Sequence, residues 1–77
     1  MATDTKLLFS EHFLWEGKCY LVHVYHHDRQ RERGSHMAET VLGPGDTIIS
    51  DGSSAEEVLH KQQSILPVAI LSRAILS

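Results

Sequence analysis

The sequence predicts an α+β fold: an N-terminal β-hairpin plus one or two short strands, followed by a C-terminal helix kinked or broken at Pro67. Three features lead there. Stretches of alternating apolar and polar residues flank Glu16-Gly17, a capping box begins at Ser54, and an apolar stripe of helical period follows it. At 77 residues the chain is expected to be a single small domain, 1–77, because a core of this size cannot divide further and still offset the entropy of folding.

The hairpin spans Lys6 to His26. Glu16-Gly17 suits a two-residue turn that needs positive φ, and that turn sets the register. With Trp15 opposite Lys18, one face pairs Phe13 with Tyr20, Glu11 with Val22, Phe9 with Val24 and Leu7 with His26. This is the expected core side. The other face pairs Leu14 with Cys19, His12 with Leu21, Ser10 with His23 and Leu8 with Tyr25. Half apolar and half polar, it is a surface for a partner or for the C-terminal helix.

Asp28 to Gly34 is a charged break and is read as a loop. Gly34-Ser35-His36-Met37, which follows, is also the tetrapeptide left by a common affinity-tag cleavage and cloning site; the chain is read as continuous through it. Glu39 to Leu42 and Thr47 to Ser50 are short β-prone stretches around a turn at Gly43-Pro44-Gly45-Asp46. Ser54 and Glu57 then form the capping box. Val58, Leu59, Ile65, Leu66, Ala69 and Ile70 follow a helical period, with Gln62 filling one turn of the stripe. Pro67 kinks this helix or stops it near Leu66, and a strand from Val68 to Ser72 is the competing reading.

Composition narrows the function. Seven basic against ten acidic side chains give a formal charge of -3, so the molecule as a whole does not attract a polyanion. Met1 to Lys6 lacks the apolar core of a signal peptide, and the apolar run from Ile65 to Leu76 is short and holds Arg73, so a membrane role is not expected. Cys19 is the only cysteine, which suits a reducing cytoplasm. Without disulfides, a domain this small draws stability from self-association or a metal.

Candidate chemistry is sparse. His12, His23 and Cys19 share one hairpin face, but their spacing matches no recognised zinc pattern, and half-exposed strand histidines are the default. Gly43, Gly45 and Gly52 precede a helix that could offer N–H groups to a phosphate; Asp46 and Asp51 oppose that, and no Walker lysine is present. Arg29, Arg31 and Arg33, with Lys18, could meet nucleic acid, although Asp28 and Glu32 dilute their charge. Cys19 with His12 or His23 is the one nucleophile-base pairing the register allows, and it lacks a third, orienting group. No catalytic residue, metal ligand or cofactor is therefore assigned. Aromatics on the hairpin and the apolar tail from Val68 to Leu76 point instead to a homodimer with a protein partner.

Gly52-Ser53-Ser54-Ala55-Glu56-Glu57-Val58-Leu59 resembles the strand-to-helix junction of HicB-like antitoxin domains, where Gly-Asp-Thr-x-Glu-Glu-Ala-Leu is typical. The order of elements is similar too, with a second strand of the kind seen at Tyr20-Leu21-Val22-His23-Val24. The resemblance implies a β-β-β-α core that binds and neutralises a partner ribonuclease and self-associates. In place of the family's Pro-Asp-Leu-Pro-Gly-Cys stretch stand His26-His27-Asp28 and the arginine-rich segment, and no DNA-binding segment follows the helix. The chain is also similar to small open reading frames of bacterial genomes.

Overall fold

A computed structural model describes residues 5–31 and 34–76, with the side chains of 28–31 and 76 outside the description. Four strands, β1 (Thr5–Trp15), β2 (Lys18–Arg31), β3 (Gly34–Gly43) and β4 (Asp46–Gly52), precede one helix, α1 (Ala55–Leu76). The strands form an antiparallel meander in the order β1-β2-β3-β4. The helix packs on one face of the sheet, most heavily on β4 and β3 and less on β2. The α+β architecture and the hairpin are those the sequence predicts.

At the first turn Glu16 and Gly17 both have positive φ, 53° and 77°, the geometry of a type I′ turn whose twist matches that of paired strands. The expected pairs follow from Trp15↔Lys18 to Phe9↔Val24. There a bulge shifts the register, so Leu7 faces Tyr25 rather than His26, and Lys6 faces His26. Both Leu7 and Leu8 are apolar, so side-chain pattern does not resist the slip.

Two expectations about the middle of the chain are corrected. Asp28 to Arg31 is not a loop, since β2 continues to Arg31, which faces Gly34 at the start of β3; Glu32 and Arg33 lie outside the described residues. Nor is the third strand short: it runs ten residues and takes in Gly34-Ser35-His36-Met37. Strand formation is a matter of backbone pairing, so charge alone does not break a strand. Gly34 is needed where it stands. Its φ is 116°, and a Cβ there would run into the Gly52 carbonyl oxygen.

Val22, Val24, Ala38, Val58 and Leu66 form the buried core, with Phe9, Phe13, Leu42, Ile48, Leu59 and Ile70 packed around it. Within it Gln62 is fully buried. Its Nε2 donates to Thr40 Oγ1 at 3.0 Å and to the Ile48 carbonyl at 2.9 Å, and its Oε1 accepts from Ser50 Oγ at 2.6 Å. A residue that fills a gap in the apolar stripe thus fixes where the helix sits.

Ser54 caps α1, accepting from the Glu57 N–H at 3.1 Å. The helix is a single element through Pro67, neither broken there nor replaced by a strand at Val68 to Ser72. An internal proline forfeits one backbone bond, here to Gln63, while Leu66 and Ala69 on either side stay buried in the core. Ile65 leaves the core stripe and is exposed.

Replacing Gln62 by Ala should lower stability by about 2–4 kcal/mol in urea unfolding, because it opens a cavity and strands two hydroxyls. Gly34→Ala should cost about 3 kcal/mol through strain and clash. Gly17→Ala, whose Cβ meets nothing within 4 Å, should cost only about 1 kcal/mol.

Candidate functional site: the open face of the sheet

Because side chains alternate across a strand, covering one face with α1 leaves the other uncovered. Two rows of that open face can be followed across all four strands: Ser10, His23, Glu39 and Ile49, then Leu7, Tyr25, Met37 and Asp51. Around them stand Leu14, Leu21, Val41 and Ile49, which are 73%, 45%, 60% and 52% exposed. The side the sequence left half apolar is thus an uncovered sheet surface, not the seat of the helix.

Four of its polar groups pair with one another. Ser10 Oγ lies 2.6 Å from His23 Nδ1, and Tyr25 donates its hydroxyl to Glu39 Oε1 at 3.4 Å. Burial, then the Glu39 charge and this hydrogen bond, raise the Tyr25 pKa above 10.0, so the phenol stays protonated. Ser10, His23 and Glu39 lie in the order of a nucleophile, base and acid. No hydrogen bond joins His23 to Glu39 among the described residues, so the carboxylate does not orient the imidazole as an acyl-transfer triad requires.

His12, His23 and Cys19 share this face, as the register predicts, yet do not converge. Cys19 and His23 are four residues apart on one strand, about 13 Å, whereas ligands of one zinc ion need donor atoms about 2.0–2.3 Å from the metal. Among the described residues no group of three or more histidine, cysteine, aspartate or glutamate side chains could hold a metal ion.

Gly43 to Ser54 holds turns and a capped helix, the reading that the sequence favours over phosphate binding. Gly43 to Asp46 forms the β3–β4 turn, and the helix N-terminus is occupied by the chain's own carboxylate. Glu57 Oε1 accepts from the Ser53 N–H at 2.9 Å and from Ser53 Oγ at 2.8 Å, one residue further back than a standard capping box. These bonds, aided by Lys61, hold the Glu57 pKa down to about 2. The carboxylate thus sits where an anion would. The side chains of Arg29 and Arg31, and all of Arg33, lie outside the described residues; Lys18 is exposed at the turn end of the hairpin.

Pattern did not point to a groove of about 790 Å³ along the outer side of β4, between Asp51 on the strand and Lys61, Ile65 and Val68 on the helix. Its signal was present. Val68, Leu71 and Ile75 lie off the core stripe, so the C-terminal half of α1 is apolar on two sides. Among the described residues no helix is long and apolar enough to cross a membrane. No protein-family model, characterised protein or solved structure matches the chain.

A histidine cluster lies at the end of the sheet. The His26 and His36 rings meet edge to face at 4.8 Å, and Ser35 Oγ is 2.8 Å from His36 Nδ1. Burial first, then the charges of His26 and His27, hold the His36 pKa below 6.5. The unfolded chain therefore takes up this proton first as pH falls, and stability present above pH 6.5 is lost below it. Thermal melts of wild type should drop on acidification through that range, and His36→Asn should flatten the drop.

Proposed function

We propose that the chain is a homodimeric protein-interaction module with no catalytic chemistry of its own, acting in the cytoplasm, and that the open sheet face is its docking surface. One observation carries this reading: Leu14, Leu21, Val41 and Ile49 stand exposed together on an uncovered sheet face, and such patches mark contact surfaces. Ser10 pairs with His23 and Tyr25 with Glu39, so covering the face leaves these four groups with partners. An antitoxin-type role, as the HicB-like resemblance implies, is the same reading with a ribonuclease as partner.

Sedimentation velocity at micromolar concentration should give twice the 8.7 kDa chain mass. A dye that reports exposed apolar surface should bind, and should bind less to Leu21→Asp and Val41→Asp at unchanged secondary structure. A monomer that binds no dye would overturn the reading.

A further inference from the structure

An apolar face accepts any apolar surface, but a free sheet edge accepts a strand, so its occupant is specified by backbone chemistry. Strand order leaves β4 at one edge. The two-residue turn makes Trp15 and Lys18 a hydrogen-bonded pair, and alternation then carries across the sheet through Val24↔Ala38 and Ala38↔Ser50. Thr47, Ile49 and Asp51 are thereby the β4 residues whose backbone groups turn away from β3. Lys61 agrees: its Nζ reaches the Asp51 carbonyl at 2.8 Å.

Nothing in Thr47 to Ser50 blunts this edge, which has no lysine, proline or bulge there. The acid at its start is engaged by the chain's own helix. Arg73 grips Asp46 through Nε at 3.0 Å and Nη2 at 2.9 Å. At the other end Lys61 pairs with Glu57 and donates to the Asp51 main-chain carbonyl, whose second lone pair is left for an incoming strand. Beside the edge runs the groove with Ile65 and Val68, which are 46% and 63% exposed.

We propose that β4 pairs antiparallel with β4 of a second copy about a two-fold axis at Ile49, joining the sheets into one of eight strands and seating the two α1 helices side by side. It rests on the homodimeric reading above and places the seam of that dimer. Ile49 is the midpoint of Asp46–Gly52, so this register overlaps the strands fully and sets Asp46 against Gly52, Thr47 against Asp51 and Ile49 against its own mate. Like charges do not meet. A foreign strand would leave Ile65 and Val68 bare, whereas a second copy brings its own helix. With strands about 4.8 Å apart, a helix that packs on β4 and β3 and also reaches β2 stands about 5–7 Å from the axis, so the two helices run about 10–13 Å apart, close enough for Ile65 and Val68 to meet their mates across the seam.

The test places single cysteines in a Cys19→Ser background. In the proposed register the Cα of Ile49 lies about 5.5 Å from its mate, within the 4.4–6.8 Å span of disulfides, while Thr47 lies about 14 Å from its own. Ile49→Cys should form a covalent dimer on mild oxidation and Thr47→Cys should not. Val68→Asp, with its fold verified by circular dichroism, should weaken the dimer at least tenfold, and Leu21→Asp should leave it intact. A dimer that resists Val68→Asp, yields no Ile49→Cys cross-link and falls apart with Leu21→Asp would overturn the β4 seam while leaving the homodimer standing. A monomer in all cases would overturn both.

Discussion

The placement of the helix on the sheet depends on Gln62. Apolar contact is non-directional, and Val58, Leu66 and Ala69 alone would let α1 slide across Val22, Val24 and Ala38 at modest cost. The Gln62 amide removes that freedom by meeting Thr40, Ile48 and Ser50 at once. Thr40 faces Ile48 across β3 and β4, and Ala38 faces Ser50 on the next row of the same side. The network therefore closes only when strand register and helix position are both right, and a displaced helix would leave buried donors and acceptors unmet.

Fixing α1 over β3 and β4 decides which surfaces stay uncovered. β1 lies at the far edge of the sheet, where Phe9, Phe13 and Trp15 are half-buried, with the Phe13 and Trp15 rings stacked at 6.4 Å. On the opposite face, Leu14, Leu21, Val41 and Ile49 have nothing over them. The C-terminal half of the helix meets the same condition, apolar toward the sheet and apolar away from it.

The hairpin was legible in sequence because Glu16-Gly17 admits one turn type and that turn sets the register for seven consecutive pairs, down to Phe9↔Val24. The bulge was not, since Leu7 and Leu8 satisfy either arrangement. The capping box at Ser54 and Glu57 was legible as a local motif, although the carboxylate takes the Ser53 N–H instead of that of Ser54. The role of Gln62 could not be read locally, its partners lying 12, 14 and 22 residues away. Charge in Asp28 to Gly34 suggested a loop, yet charge does not bar a backbone from pairing, as Arg31 does with Gly34. Of the candidate site, the mixed character of the His12, Cys19, Leu21 and His23 side was visible from alternation alone, while the groove along β4 depends on tertiary packing.

The bulge near Leu8 makes the two margins of the sheet unlike. Beside the extra residue the outward N–H and C=O groups fall out of step, so the ladder that β1 turns to solvent is broken at Leu8 and runs evenly only from Phe9 to Trp15. The bulge thus sets how far pairing can travel along that margin: a strand laid against β1 stays in step beside the turn and loses step toward the start of the chain.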